Sequence, residues 1–429
     1  MHVKRSSIVT QSKSRQDALA AVVFAILLCA CATDAPEAPS DLLRSIATDS
    51  SGVAIIPTHL ILPGGARNTF KPTLRIDNAG ADESKALVDI ANVLLTESNI
   101  VVAEASTRSI HFFDLRGRWQ RTVGRRGDGP GEFQMLSSLT MFAGDSIIVG
   151  DLRARRFSIF SASGAFGRSL SMPRSSATLG KWLAPTASTK NGAIFYTATQ
   201  LNRGATEPRN VRYDADVFSG TPDTIFPVPI TRVPNALNHE GPGTEIGEVL
   251  FGGRAQFAAS DSFLYVVGPE SGDVKAFSRD GRLKRIVRLA SPRLAIQEDQ
   301  KAIEKAIRLR EMEKQLRGVS PMLINGQRAF FDNMPFPDSF PVVSGLTAED
   351  GGRLLIELFT PPSRKVIPKT YVFIDADGIH QQILQLAPGS RVMAFHHGKI
   401  VAVHTDEDGV ESVELYDISN FLPSMVRPI

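Results

Sequence analysis

Reactive and bridging chemistry is scarce in this chain. Its 429 residues include two cysteines, Cys29 and Cys31. Both sit at the end of one apolar run, so the body of the protein has no internal disulfide and no thiolate for catalysis or metal binding. Charge of either sign is not in excess. Residues 1–30 carry four basic and one acidic residue, and the remainder carries 44 of each. A balanced body gives no electrostatic footprint for nucleic acid. Long hydrophobic runs are also missing: residues 18–28 form an apolar stretch too short for an ordinary membrane span. No Gly-x-Ser-x-Gly elbow leads from a strand into a helix, and no glycine-rich loop ends in Lys-Ser/Thr. Those absences remove the common hydrolase and phosphate-loop signatures.

What the first thirty residues do contain is a leader. Lys4, Arg5, Lys13 and Arg15 precede the apolar run, which ends in Leu28-Cys29-Ala30-Cys31. This resembles a bacterial lipobox with Cys31 as the lipidated residue, Cys29 standing where a small residue such as Ser or Ala is usual. Residues 1–30 are read as a lipoprotein signal peptide and residues 31–50, rich in Ala, Pro, Ser and Asp, as a flexible tether. With Ala32 after the cysteine, the expected address is the outer membrane, facing the periplasm.

Past residue 50 the pattern is alternation bounded by Gly, Pro, Asn and Asp, which argues for strands. One unit recurs. Phe113, Phe160, Phe277 and Ile374 are each followed four positions later by a glycine: Gly117, Gly164, Gly281 and Gly378. A hairpin turn wants positive φ there. Tyr416 has Asn420 at that offset, and Tyr213 is read as the remaining anchor with a different turn. Six anchors with a β-branched run before each imply six four-stranded blades. The anchor spacings are 47, 53, 64, 97 and 42 residues, and blades take roughly 40–50. The expected fold is all-β, a six-bladed β-propeller over 51–420 with a tail at 421–429. A strand at residues 53–56 is assigned to complete the last blade and remove its edge.

The long fourth interval carries a helix expected over 294–317, within an insertion at 293–318 between blades four and five. Ser291-Pro292 is read as its cap, and Glu304 and Arg308 pair on its wet face. Rim packing is the preferred role, with a partner-binding helix as the alternative. Phe330, Phe331, Phe336 and Phe340 follow and are placed near the propeller mouth.

Four features together resemble the six-bladed β-propeller lipoproteins of environmental bacteria, relatives of the NHL-repeat propellers. They are Ser51-Gly52-Val53 after the tether, the run Gly127-Asp128-Gly129-Pro130-Gly131-Glu132-Phe133, the Asp151…Arg156-Phe157 strand, and the recurrent Phe-x-x-x-Gly hairpins. The resemblance implies fold and export rather than a reaction.

Candidate sites are few. Gly127, Gly129, Pro130, Gly131, Glu132 and Phe133 are read as a blade connection, although Arg125 and Arg126 among glycines invite an anion-loop reading. Arg153, Arg155 and Arg156 are read as a solvated turn. His396, His397 and His404 lie near Asp406-Glu407-Asp408. Strand alternation sends His396 and His397 to opposite faces, so a shared metal is not expected. No catalytic, cofactor or metal residue is assigned. The preferred function is a non-catalytic, lipid-anchored, monomeric binding module for a protein, peptide or glycan. The alternative is a cation-dependent propeller hydrolase or lactonase, with Ca²⁺ or Zn²⁺ in a central channel held by Glu, Asn and Asp from several blades.

Overall fold

The computed structural model describes residues 47–48, 52–58, 68–77, 87–200, 207, 209–240, 246–315, 321–362, 367–378 and 381–421. The stretch read as a signal peptide, Cys31 and most of the stretch read as a tether lie outside them. Among the described residues the strands form six sheets. In chain order they occupy 90–123, 136–171, 182–248, 256–288, 343–386 and 390–417, and are called blades 1 to 6. Each is an antiparallel meander.

The ring follows from what the second strand of each blade is made of. Asn99–Glu104, Ser146–Asp151, Leu264–Val267, Leu354–Leu358 and Lys399–Thr405 are apolar on both faces and almost wholly buried. Alternation then sends neighbouring residues to opposite sides of the sheet. In blade 1, Val101 and Ala103 pack with Leu139, Ile147 and Phe160 of blade 2. Ile100 and Val102 pack the other way, with Val401, Val403, Val413 and Leu415 of blade 6. The same division recurs at every seam, so six apolar clusters fill six interfaces. A cluster joining blade 6 to blade 1 is what closes the circle.

Register also locates the anchors. Phe113, Phe160, Phe277, Ile374 and Tyr416 pair with Ile100, Ile147, Leu264, Leu354 and Ile400. The glycines after the first four have φ between 78° and 83°. Two anchors differ from expectation. In blade 3 the partner of Ile194 is Gly220, not Tyr213, because Arg209–Gly220 is a twelve-residue strand with Tyr213 in its middle. A β-carbon on Gly220 would stand 2.1 Å from the Thr224 carbonyl oxygen, so a side chain has no room there. Asn420 does not take positive φ. No hairpin is needed at that point, since the outer strand of blade 6 comes from the other end of the chain.

That outer strand is Leu74–Ile76, which pairs antiparallel with Glu411–Asp417. An N-terminal strand therefore closes the last blade, but it is not 53–56. Ala54–Pro57 instead pairs parallel with Leu283–Arg288 at the edge of blade 4. Asn68–Thr69 pairs parallel with Gln381–Leu386 at the edge of blade 5. The N-terminal segment thus adds a strand to blades 4, 5 and 6 in turn, covering three open edges. Ala47–Thr48, inside the stretch read as tether, pairs with Ala54 and Ile55. Hydrophobic alternation marked 53–56 as a strand but carried no information about which edge it would meet.

The insertion runs past the expected limit of 318 and holds two helices rather than one, Glu298–Gln315 and Pro321–Asn333. The first begins later than expected because residues 294–296 are tied to 338–340: Phe340 N–H donates to Leu294 O and Ile296 N–H to Asp338 O. The helix is capped by Gln300, whose Oε1 accepts from Gln297 N–H at 2.9 Å. Met334 and Phe336, just past the second helix, pack with Leu237, Val249 and Leu250 of blade 3 and the connection after it. Phe336 and Phe340 both stand against Phe251, and Phe340 stacks on Phe359 at 5.2 Å. Neither phenylalanine lines the central channel. No helix among the described residues is long and apolar enough to cross a membrane.

Candidate functional site at the channel mouth

The first strand of each blade faces the ring's axis. Ile90–Leu95, Leu136–Phe142, Trp182–Ser188, Gln256–Ala259, Val343–Ala348 and Ser390–His396 surround a channel of about 340 Å³. Its wall is lined with small, apolar and hydroxyl side chains, among them Ser138, Thr140, Thr186, Ala258, Thr347 and Ala394. Ser188 and Thr140, from adjacent blades, are joined by a 2.9 Å hydrogen bond. The carboxylates lining the channel are Glu97, Glu349 and Asp350. All three follow directly on a first strand, so they lie at one end.

That end is built from the turns between first and second strands. Each blade places an ionisable residue there: Glu97, Asp145, Lys190, Asp261, Asp350 and His397. Tight turns force this composition, because a short polar residue both satisfies the turn and stays in water. Asp145 and His397 sit at positive φ, 62° and 48°. Lys190 Nζ lies 3.7 Å from Asp145 Oδ1. Asp261 N–H donates to Asp350 O, and Arg279 reaches Asp261 O and Thr189 Oγ1. Burial pushes the Asp350 carboxyl above its usual range, and the neighbouring Asp261 adds to the rise, while His396 and Lys190 oppose it. Glu349 is buried and clamped by Arg353, and its Oε1 accepts from His397 N–H at 2.6 Å.

The two histidines do not part as alternation predicted. His396 ends a strand, but His397 is in the turn, and its left-handed backbone brings its ring round to the same side. The ring centroids are 4.0 Å apart. Each Nε2 lies 3.4 Å from Glu97 Oε1, which comes from blade 1. The His396 hydrogen bond, followed by the His397 charge, holds the Glu97 carboxyl below its ordinary value. His404 is elsewhere: it sits at the far end of Lys399–Thr405, with Nδ1 3.5 Å from Ser390 Oγ. Asp406 makes a turn, its Oδ1 accepting from Asp408 and Val410 N–H.

The glycine-rich run lies between blades 1 and 2. Phe133 is fully buried among Val101, Phe112, Leu136 and Phe160. Gly124 has φ 77°, and a β-carbon there would stand 2.7 Å from the Phe133 ring. Gly131 has φ 73°. Glu132 turns inward on the loop, accepting from Gly129 N–H and from Arg125 Nε, both contacts holding its carboxyl low. Arg125 and Arg126 are exposed. Pro130 is exposed at the tip, and Gly127 accommodates the Glu132 carboxylate. Arg153 and Arg155 are exposed as well. Arg156 is not a solvated turn residue: its guanidinium donates to Asp128, Gly129 and Glu132 carbonyls at 2.6, 3.0 and 2.7 Å. Its role was hidden because the sequence does not say that the strand beginning at Arg156 passes beneath the loop.

Buried charge elsewhere has structural partners. Glu104 accepts from Asp89 and Thr107 N–H and from the Ser106 and Thr107 hydroxyls. Burial alone would raise its pKa, and these bonds reverse that. Asp151 accepts from Gln134, Met135 and Ala154 N–H. Both carboxylates end a second strand and tie the following turn to the loop entering the blade.

No curated protein sequence matches the chain. Among solved structures, a putative exported protein from Bacteroides fragilis is similar at 11% identity over 84% of this chain and 98% of its own, with a TM-score of 0.45. The calcium-binding protein regucalcin from Agrobacterium tumefaciens is similar at 9% identity, 82% and 97% coverage and a TM-score of 0.38. A gluconolactonase from Xanthomonas campestris is similar at 15% identity, 83% and 99% coverage and a TM-score of 0.34. Residues 81–214, which run through blades 1 and 2 into blade 3, match the model of a family described as 6-bladed beta-propeller. With six sheets and six filled seams, the chain is a six-bladed β-propeller.

Proposed function

We propose that the protein is exported, anchored to the cell envelope by a lipid on Cys31, and acts there as a non-catalytic monomeric module that binds a peptide, protein or glycan at the charged channel mouth. The observation that carries this reading is the turn set Glu97, Asp145, Lys190, Asp261, Asp350 and His397 around one channel end. Both signs of charge lie side by side on it, which suits a polar ligand bearing both donors and acceptors better than a polyanion. The address rests on the lipobox.

Peptide and glycan arrays probed with the full-length protein test the binding part. Hits are expected to be lost in Lys190→Glu and Asp350→Lys and kept in Arg125→Ser/Arg126→Ser, which alters charge far from the mouth. Hits indifferent to the mouth variants, or hits that are turned over into products, overturn it. The address is tested by metabolic lipid labelling: Cys31→Ser is expected to lose the label and leave the membrane fraction. A variant still labelled and membrane-bound would mean that Cys31 is not the anchor.

A further inference from the structure

We propose that Glu97, His396 and His397 form a binding site for a divalent transition metal of the zinc class, spanning the seam where blade 6 meets blade 1. The inference goes beyond the binding reading above and does not depend on it. Its basis is donor geometry. One ligand atom from each of Glu97, His396 and His397 lies within 4.8 Å of the other two, and both histidine Nε2 atoms stand 3.4 Å from Glu97 Oε1. A charge-assisted hydrogen bond would be about 2.7–2.9 Å. In a tetrahedral site with ligand bonds near 2.1 Å, donor atoms stand about 3.4 Å apart. The carboxylate and imidazoles are therefore spaced as the ligands of one ion are, the His396–Glu97 contact being long for a charge-assisted hydrogen bond.

The chemistry of the donors points the same way. Two imidazoles and one carboxylate are borderline donors suited to Zn²⁺, whereas Ca²⁺ and Mg²⁺ take oxygen ligands. Three protein ligands leave one tetrahedral position open, and the side chains of Glu97 and His397 are 70% and 58% exposed, so that position faces solvent at the mouth. The His397 backbone is also held. Its main-chain N–H donates to Glu349 Oε1 at 2.6 Å, and the ring Nδ1 lies 4.0 Å from the same oxygen. Arg353 fixes Glu349 in turn. Bound metal would link Glu97 of blade 1 to His396 and His397 of blade 6.

Full-length protein stripped with chelator is titrated with Zn²⁺ by calorimetry and with Co²⁺ by visible absorption. One equivalent of Zn²⁺ is expected, with Co²⁺ giving the intense visible band of a four-coordinate site. Zn²⁺ should raise Tm, because an ion that binds only the closed ring adds its binding free energy to folding. Glu97→Gln, on an exposed side chain whose loss leaves the fold intact, should weaken Zn²⁺ at least tenfold and remove the Tm rise. His396→Gln/His397→Asn should abolish uptake, and His404→Gln should leave it unchanged. Less than one equivalent bound by the wild type overturns the proposal. So does equal affinity in Glu97→Gln, which decides the matter even if the double histidine variant fails to fold.

Discussion

Phe133→Ala is expected to destabilise the protein by about 3–5 kcal/mol, the range for truncating a fully buried aromatic. The ring has no exposed surface and lies in the apolar cluster of the blade 1–blade 2 seam, with its centroid 6.1 Å from that of Phe160. Relaxation cannot fill the hole easily. The loop on one side is pinned by Arg156 to three carbonyls, and the strands on the other are fully paired. Arg125→Ser/Arg126→Ser should cost under ~1 kcal/mol, since Arg125 is 80% exposed and makes a surface ion pair with Glu132. Urea melts of the two variants, with and without phosphate, measure both effects. An anion-binding loop predicts the opposite ranking: a phosphate-dependent stabilisation of wild type that the double arginine variant loses, with Phe133→Ala near neutral.

The seams were legible because burial on both faces leaves a strong local mark. Runs such as Ile100-Val101-Val102 and Ile400-Val401-Ala402-Val403 cannot sit on a wet sheet, and the glycine after each anchor fixes the hairpin. Long-range pairing left no such mark. Residues 53–56 and 74–76 are both short strands with apolar residues to bury, and nothing in either stretch says which edge it meets, so local pattern alone could not assign one to blade 4 and the other to blade 6. The anchor in blade 3 was misplaced for a related reason: an aromatic inside a long strand reads like an aromatic at its end. At the mouth, the period-two rule failed at His397 because that residue belongs to a turn, where φ of 48° cancels the alternation. Its partner Glu97 lies about 300 residues away. Once the six blades are in register, the ionisable residue after each first strand becomes a readable signal. Before that it is one polar turn residue among many.

Removing residues 47–77 while keeping everything before them should abolish cooperative folding, because the deletion uncovers three blade edges at once. Ile56 is buried against blade 5, so close to the turn there that a β-carbon on Gly378 would lie 2.4 Å from its Cδ1. Ile76 belongs to the cluster that joins blade 6 to blade 1, and Leu74 packs over Gly117 of blade 1. Backbone bonds go too, among them Thr58 N–H to Arg288 O and Thr73 N–H to Leu415 O. Each buried Val or Ile contributes about 1.5–3 kcal/mol. Losing Val53, Ile56 and Ile76 together is comparable with the ~5–15 kcal/mol that holds a domain folded. The two halves of the segment are not equivalent. Deleting 47–58 strips blade 4 of its two added strands but leaves its four-stranded meander whole, so a folded protein with a lower Tm is expected. Replacing 74–76 by a Gly-Ser linker removes the fourth strand of blade 6 and opens the seam between the last blade and the first. That variant should unfold at much lower temperature, with hydrogen exchange accelerated first in Glu411–Asp417, the strand whose outer edge is then uncovered. If the 47–58 deletion is the more damaging of the two, the ring is fastened at blade 4 and the closing role returns to residues 53–56.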